Sequence, residues 1–489
     1  MKNLSLLFLI SAAFTSNGIA ADWKPISITS SVSNVQPMTG LVLWPDEAKD
    51  RFKTYGKSHA LEFSYVAPSK VVKGCDDDGT IQYDWSYLEN LLDEIKSRNH
   101  QAVLRFFYEY PGEKMVDSKP GTSAVPAYIK ARSDYKETYK KVAGDGETYY
   151  ADWSNKELKR FTKQFFTDFS KKYDTDPRIA FVEVGFGHWS EYHIYDENGV
   201  DIKFDGNFPS KDYQKEFFLH LSDVMANIPW AISIDASDSD YTPFSKDKDL
   251  QKLEFGLFDD SFMHEGHEKK SGDGYNEECW NIMGENRWKT GVCGGEISYY
   301  DDKDQEKFTN PSGMYGHTWE EQSAKYHITF MIANNNPSGK NSYNNATRFK
   351  ECSMATGYHF VVTGCKSDGA QTKITVKNTG VAPLYRDAYF AIGSIRSGET
   401  LRGLLPGESK EITVDAALES DNSGKAISNP VIVSDYILDS QTIEYDCDIT
   451  ITDIHDIKQS NTNDGQRYNL HGQKVSDDYR GVVIVNGEK

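Results

Sequence analysis

After the first twenty residues the chain lacks any run apolar enough to span a membrane, so membrane insertion is not expected. It also lacks a Cys-x-x-Cys pair: the six cysteines (Cys75, Cys279, Cys293, Cys352, Cys365 and Cys447) are too dispersed for a structural zinc site. None precedes Cys75, so no cysteine is available for lipid attachment near the amino terminus. Basic residues are scarce, with 54 Lys and Arg against 74 Asp and Glu. The resulting net charge of −20 repels phosphate backbones and anionic lipid, which excludes nucleic acid as an expected partner. No Gly-x-Gly-x-x-Gly turn follows the first strand-like run, and no Gly-x-Ser-x-Gly elbow occurs. His188, His193, His264, His267, His317 and His327 show no compelling metal spacing, so no metal or organic cofactor is expected.

Aromatic residues, in contrast, are abundant: 29 Tyr, 25 Phe and 9 Trp in 489 residues. A chain of this length exceeds one ordinary domain and can bury a large core. Residues 1–20 combine Lys2, an apolar run from Leu4 to Phe14 and small residues at Gly18 and Ala20, the pattern of a cleaved export signal. Export permits disulfides: Cys365–Cys447 would tie the ends of the carboxyl-terminal domain and Cys279–Cys293 would close a loop beside Glu296, but the sequence does not choose among connectivities, and free buried thiols are an equal alternative.

From Gly40 onward, apolar runs alternate with helix-period stretches, as expected for a parallel sheet with crossover helices. The strand candidates are Gly40–Trp44, Leu61–Val66, Ala102–Tyr108, Ile179–Gly187, Ala231–Ala236, Leu253–Phe258, Gly291–Ser298 and a weak run at Thr329–Ala333. Between them, Leu158, Phe161, Phe165, Phe166, Phe169 and Tyr173 form one apolar stripe at helical spacing. The pattern predicts an α/β fold, a (β/α)8 barrel over 21–342, with an open doubly wound sheet as the alternative. After Asn341 the period changes to two, as in Thr372–Asn378, which predicts a β-sandwich over 343–456. Residues 457–489 read as a polar linker and a short strand-forming tail.

In a barrel, chemistry belongs to the carboxyl ends of strands and the loops beyond them. Glu296 ends the seventh candidate in Gly294-Gly295-Glu296, and Glu191 follows the fourth in Gly187-His188-Trp189-Ser190-Glu191-Tyr192-His193. Two carboxyl groups beside aromatic rings suit glycosidic bond cleavage, one protonated to donate and one ionised to attack or to activate water. Glu183 is the rival within the fourth run. Arg105, a charge inside an apolar strand, demands a buried acid partner. Asp259 and Asp260 either grip sugar hydroxyls or bond loop amides. Tyr108, Trp189 and His193 are candidates to touch a sugar, and Tyr299 or Arg105 to keep Glu296 ionised.

Placing one acid after strand four and another at the end of strand seven resembles the clan of retaining glycoside hydrolases. That resemblance implies Glu191 as acid/base and Glu296 as nucleophile. It departs from the clan in having Ser190, not asparagine, before Glu191. Pro37–Trp44, Tyr83-Asp84-Trp85, Val103-Leu104-Arg105, Gly187–His193, Asp259–Phe262, Gly294–Glu296 and Gly357–Phe360 together resemble the family called domain of unknown function 4832. That family implies a glycosidase-like barrel with a carboxyl-terminal sandwich, and carbohydrate as the partner. A glycan-binding protein without catalysis is the opposing reading. Oligomeric state is left open.

Overall fold

The computed structural model describes residues 22–203, 206–301, 303–333 and 341–449, and the backbone of three short strands beyond them. The expected export signal and polar linker lie outside the described residues. Eight parallel strands close into a barrel: β1 (Gly40–Leu43), β2 (Leu61–Val66), β3 (Gln101–Phe106), β4 (Ile179–Val184), β5 (Trp230–Ser233), β6 (Gly256–Phe262), β7 (Cys293–Ile297) and β8 (Phe330–Ile332). Closure runs through β8 beside β1, with Phe330 opposite Gly40 and Ile332 opposite Val42. Each expected strand is present, the weak eighth included. β6 lies further along the chain than expected, so Asp259 and Asp260 fall inside it.

Helices α1 (Pro45–Tyr55), α2 (Ser86–Ser97), α3 (Lys156–Tyr173), α4 (Lys211–Val224), α5 (Tyr275–Gly284), α6 (Trp319–Lys325) and α7 (Ala346–Met354) follow β1, β2, β3, β4, β6, β7 and β8. Short 3-10 turns, Ile234–Ser237 and Leu250–Lys252, follow β5 instead. The α3 stripe does what its spacing predicts. Asn155 caps the helix by accepting from the amides of Glu157 and Leu158, and Phe165, Phe166 and Phe169 then close on Phe106 of β3 with ring centroids 5.0 to 5.4 Å away. Each such ring contributes about 1.5–3 kcal/mol by leaving water.

Strand alternation decides what each residue faces. On β3, Phe106 turns outward to the helices, whereas Arg105 turns into the lumen over the ring of Phe258, 4.2 Å from its centroid.

The carboxyl-terminal sheets are antiparallel apart from one parallel pairing. One sheet orders Ser409–Val414, Thr372–Asn378, Phe360–Ser367, Tyr445–Ile449 and Ile28–Ser30, and the other Ile395–Arg396, Tyr389–Ile392 and Val431–Val433. Phe360 pairs parallel with Tyr445. Two boundaries therefore differ from expectation. Ile28–Ser30 pairs with the last strand, Ile28 opposite Ile449, so the segment preceding the barrel belongs to the sandwich. At the other boundary α7 belongs to the barrel, because Ser353 Oγ accepts from the Leu41 amide of β1 at 3.2 Å.

The sandwich docks on the amino end of the barrel. Arg386 Nη1 donates to the Ile179 carbonyl (2.7 Å) and Tyr385 Oη to that of Trp288 (2.6 Å). The six cysteines are free thiols, five of them buried. No helix among the described residues is long and apolar enough to cross a membrane. Separately, Arg467–Asn469, Lys474–Val475 and Val483–Val485 form a small antiparallel sheet of their own.

Candidate active site

Arg105, fully buried near the carboxyl end of β3, is the centre of the site. Its Nε donates to Glu183 Oε2 (2.5 Å), and its Nη1 reaches Glu191 Oε1 (2.8 Å), Asp260 Oδ2 (2.6 Å) and the Tyr65 hydroxyl (3.1 Å). Nη2 completes a two-pronged grip on Asp260 at 3.0 Å. Acids from β4, the loop beyond β4, and β6 thus share one guanidinium. Glu296 stands on β7, the strand beside β6, where Gly295 is opposite Asp259. Its Oε1 accepts a hydrogen bond from Tyr299 at 3.0 Å.

Four carboxyl groups around one guanidinium cannot all ionise in a place sheltered from water. Burial, and then the charge of Asp260, push the Glu296 carboxyl up to about 8. The same two causes hold Glu191 well above the ordinary carboxyl range. Burial outweighs Arg105 at Glu183 and raises it to about 7. The site therefore carries bound protons near neutral pH, which is what proton donation to a leaving group requires.

The loop that presents Glu191 is strained. Trp189, Ser190 and Tyr192 all adopt positive φ (55°, 66° and 67°), a conformation that costs side-chain-bearing residues of order 1–3 kcal/mol each. Gly187, with φ of 79°, admits the turn because a Cβ there would lie 2.5 Å from the His193 carbonyl oxygen. Hydrogen bonds hold the loop, including Ser190 Oγ to the Phe106 carbonyl (2.6 Å) and the Trp189 amide to the Glu109 carbonyl (3.0 Å). Ahead of Glu296, Gly295 (φ 138°) lies so close to β6 that a Cβ would come 2.0 Å from the Asp259 carbonyl oxygen.

Aromatic rings flank the acids, Tyr65 buried and the others half-buried. Trp44, Tyr65, Tyr110 and Trp189 form a chain with successive centroid distances of 5.8, 5.1 and 6.2 Å. Tyr110 lies close enough to Glu296 for that charge to raise its phenol further above a level already raised by burial. Across the site, His193 Nε2 is 3.2 Å from Asp235 and 4.0 Å from Glu191, and its Nδ1 accepts from Tyr195 (2.8 Å).

Two expected sugar contacts are corrected. Tyr108 has the outward parity of Phe106: it is buried against Trp153, with its hydroxyl 2.8 Å from Thr162 of α3, and cannot meet a sugar at the mouth. Asp259 likewise faces outward and is fully engaged by His267 Nε2 (2.9 Å), Asn276 Nδ2 (2.9 Å) and the Ser261 amide (3.0 Å). Asp260, one residue on, faces Arg105. Asp235 was overlooked, although an acid just beyond the end of β5 fits the rule that singled out Glu191. Tyr65 and Tyr110 follow from strand parity, which the sequence run already contains.

Fold and site together define a (β/α)8 barrel with a proton-holding acid cluster at the carboxyl end of its strands. No family model matches the chain, and no curated protein matches it. Among solved structures it is similar to the catalytic domain of a β-amylase from Paenibacillus polymyxa, at 12% identity over 66% of this chain and 99% of that one, with a TM-score of 0.40. It is also similar to endo-glycoceramidase II from a Rhodococcus species, at 8% identity over 80% and 100% of the two chains and a TM-score of 0.40. A family 39 glycoside hydrolase from Bacteroides cellulosilyticus matches at 9% identity over 78% and 81%, with a TM-score of 0.38. The barrel assignment stands on its own strand order, and these likenesses add no residue correspondence.

Proposed function

We propose that the chain is an exported glycoside hydrolase that cleaves a polysaccharide or oligosaccharide with two carboxyl groups, Glu191 donating the proton and Glu296 attacking the anomeric carbon. The observation that carries this reading is the cluster of proton-holding acids at the barrel mouth, beside rings suited to stack on sugar faces. Glu191 is the better donor because burial and the charge of Asp260 hold its carboxyl well above the ordinary range and it lies on a strained loop rather than a strand. Attack requires Glu296 to be ionised, and the hydrogen bond from Tyr299 is the contact that favours that form against burial. The resemblance to the domain of unknown function 4832 family points the same way and supplies no substrate.

The test is a glycan panel together with a 2-fluoro glycoside that traps a covalent glycosyl enzyme. Cleavage by the parent, a turnover reduced about 100- to 10,000-fold in Glu296→Gln and Glu191→Gln, and a label mapped to Glu296 are expected. A label on Glu183 or Asp260 overturns the nucleophile assignment. The grip of Arg105 on Glu191 favours a second reading, a glycan-binding barrel whose acids are structural. Binding of a glycan with no cleavage by the parent selects it.

A further inference from the structure

At the opposite end of the barrel lies a cluster that the proposed chemistry does not use. His59 precedes β2, Glu62 is its second residue, and His100 immediately precedes β3. One nitrogen from each histidine and one carboxylate oxygen lie within 4.8 Å of one another, and the three side chains are buried. We infer that His59, Glu62 and His100 form a binding site for a divalent transition-metal ion, of which zinc fits the donor set best.

The hydrogen bonds prepare both histidines as ligands. His59 Nδ1 donates to the Tyr55 carbonyl (2.9 Å), so Nε2 carries the lone pair, and that nitrogen is buried without a partner. A buried imidazole lone pair facing no donor is costly unless something binds it. His100 Nε2 is 3.0 Å from the Gly56 carbonyl, and its Nδ1 faces Glu62 Oε1 at 2.7 Å, a contact that only a shared proton or a cation can hold together. Metal-bound histidines commonly donate their second nitrogen to a backbone carbonyl in this way.

Glu62 is oriented as a ligand carboxylate would be. Arg98 Nε donates to Oε1 (2.7 Å) and Nη2 to Oε2 (2.6 Å), which fixes its plane. A carboxylate oxygen accepts from two directions, so Oε1 keeps the direction now filled by His100. The ion takes the place of that proton. A tetrahedral centre with bonds of about 2.0–2.2 Å needs donors about 3.3–3.6 Å apart, so His100 Nδ1 and Glu62 Oε1, 2.7 Å apart without the ion, must open to admit it. A cavity of about 230 Å³ lined by Gly56, Lys57, His59, Asn99, His100 and Glu444 gives a path inward and room for a water as fourth ligand. Two histidines and one glutamate suit zinc better than magnesium or calcium. Lying at the amino end, the site ties the turn after α1 to β2 and to the turn after α2, a role in stability rather than in cleavage.

Chelator-treated full-length protein, titrated with Zn²⁺ by calorimetry and followed by thermal unfolding, tests the inference. One bound equivalent and a raised melting temperature are expected. His59→Ala should weaken binding more than about 100-fold, beyond what loss of an outer partner costs, while His264→Ala leaves it unchanged. Co²⁺ in place of Zn²⁺ should give the visible absorption of a four-coordinate nitrogen and oxygen site in the parent and not in His59→Ala. Glu62→Gln provides a second variant should His59→Ala fold poorly. Absence of stoichiometric binding, or its persistence in both variants, overturns the site and leaves an ordinary ion cluster.

Discussion

The two ends of the barrel each bury an arginine bridged to a glutamate, Arg98 at the end of α2 to Glu62 of β2 and Arg105 of β3 to Glu183 of β4, yet they differ in charge balance. At the amino end Arg98 meets Glu62, with Glu94 as a half-exposed second partner. At the carboxyl end Arg105 faces Glu183, Glu191 and Asp260, and Glu296 stands on the next strand. A balanced pair costs little beyond its desolvation and fixes its two elements, whereas an excess of buried acid raises the carboxyls above their ordinary range and keeps protons bound. The backbone agrees. One short loop near the acid-rich end holds three residues at positive φ, Trp189, Ser190 and Tyr192, whereas Asn99 alone adopts it beside Arg98.

The largest effect that would break this contrast is Arg105→Met. It leaves the acids without their cation and should cost about 3–5 kcal/mol in denaturant unfolding at neutral pH. The deficit should narrow in mild acid, as the charge still left on the carboxyl cluster is titrated away. An equal loss at both pH values would mean that Arg105 acts through packing alone.

Glu62→Gln probes the other end and should cost less, about 1–3 kcal/mol, because Glu94 still accepts from Arg98 at 3.2 Å. A loss as large as that of Arg105→Met would erase the distinction. Third comes pH dependence. Glu296 moves from an ordinary 4.5 up to about 8 on folding, so the folded state holds a proton that the unfolded state releases. The stability it contributes is full below 4.5 and lost as pH rises through about 8. Glu296→Gln should flatten that part of the stability profile, and an unchanged slope would show that Glu296 does not hold the proton. The smallest effect is that of Tyr108→Phe, which should cost about 0.5–1.5 kcal/mol and leave glycan turnover unchanged, as its hydroxyl serves Thr162 rather than the mouth. A selective loss of turnover would return Tyr108 to the site.

The barrel was legible because its strands are apolar on both faces and its helices carry one-sided stripes such as Phe161 to Tyr173. Arg105 was legible as a charge in need of an acid, although not as the meeting point of three. Tyr108 and Asp259 were misplaced for one reason. Near a strand end, adjacent residues face opposite sides, and composition cannot tell Asp259 from Asp260 until the strand's parity is anchored on Phe258. His59, Glu62 and His100 follow no local motif, since they converge only when β2 and β3 lie side by side. The pairing of Ile28–Ser30 with Tyr445–Ile449 was likewise hidden, because nothing local marks partners so far apart in the chain.

That last pairing has a temporal consequence. As the ribosome releases the polypeptide, the segment at Ile28–Ser30 has no strand partner until Cys447–Ile449 follow, so an unpaired strand must wait while all of the intervening chain is made. Late contacts of such span slow the search for the native state, and a product stopped short of Tyr445 would leave this early strand unpaired and prone to bind another chain.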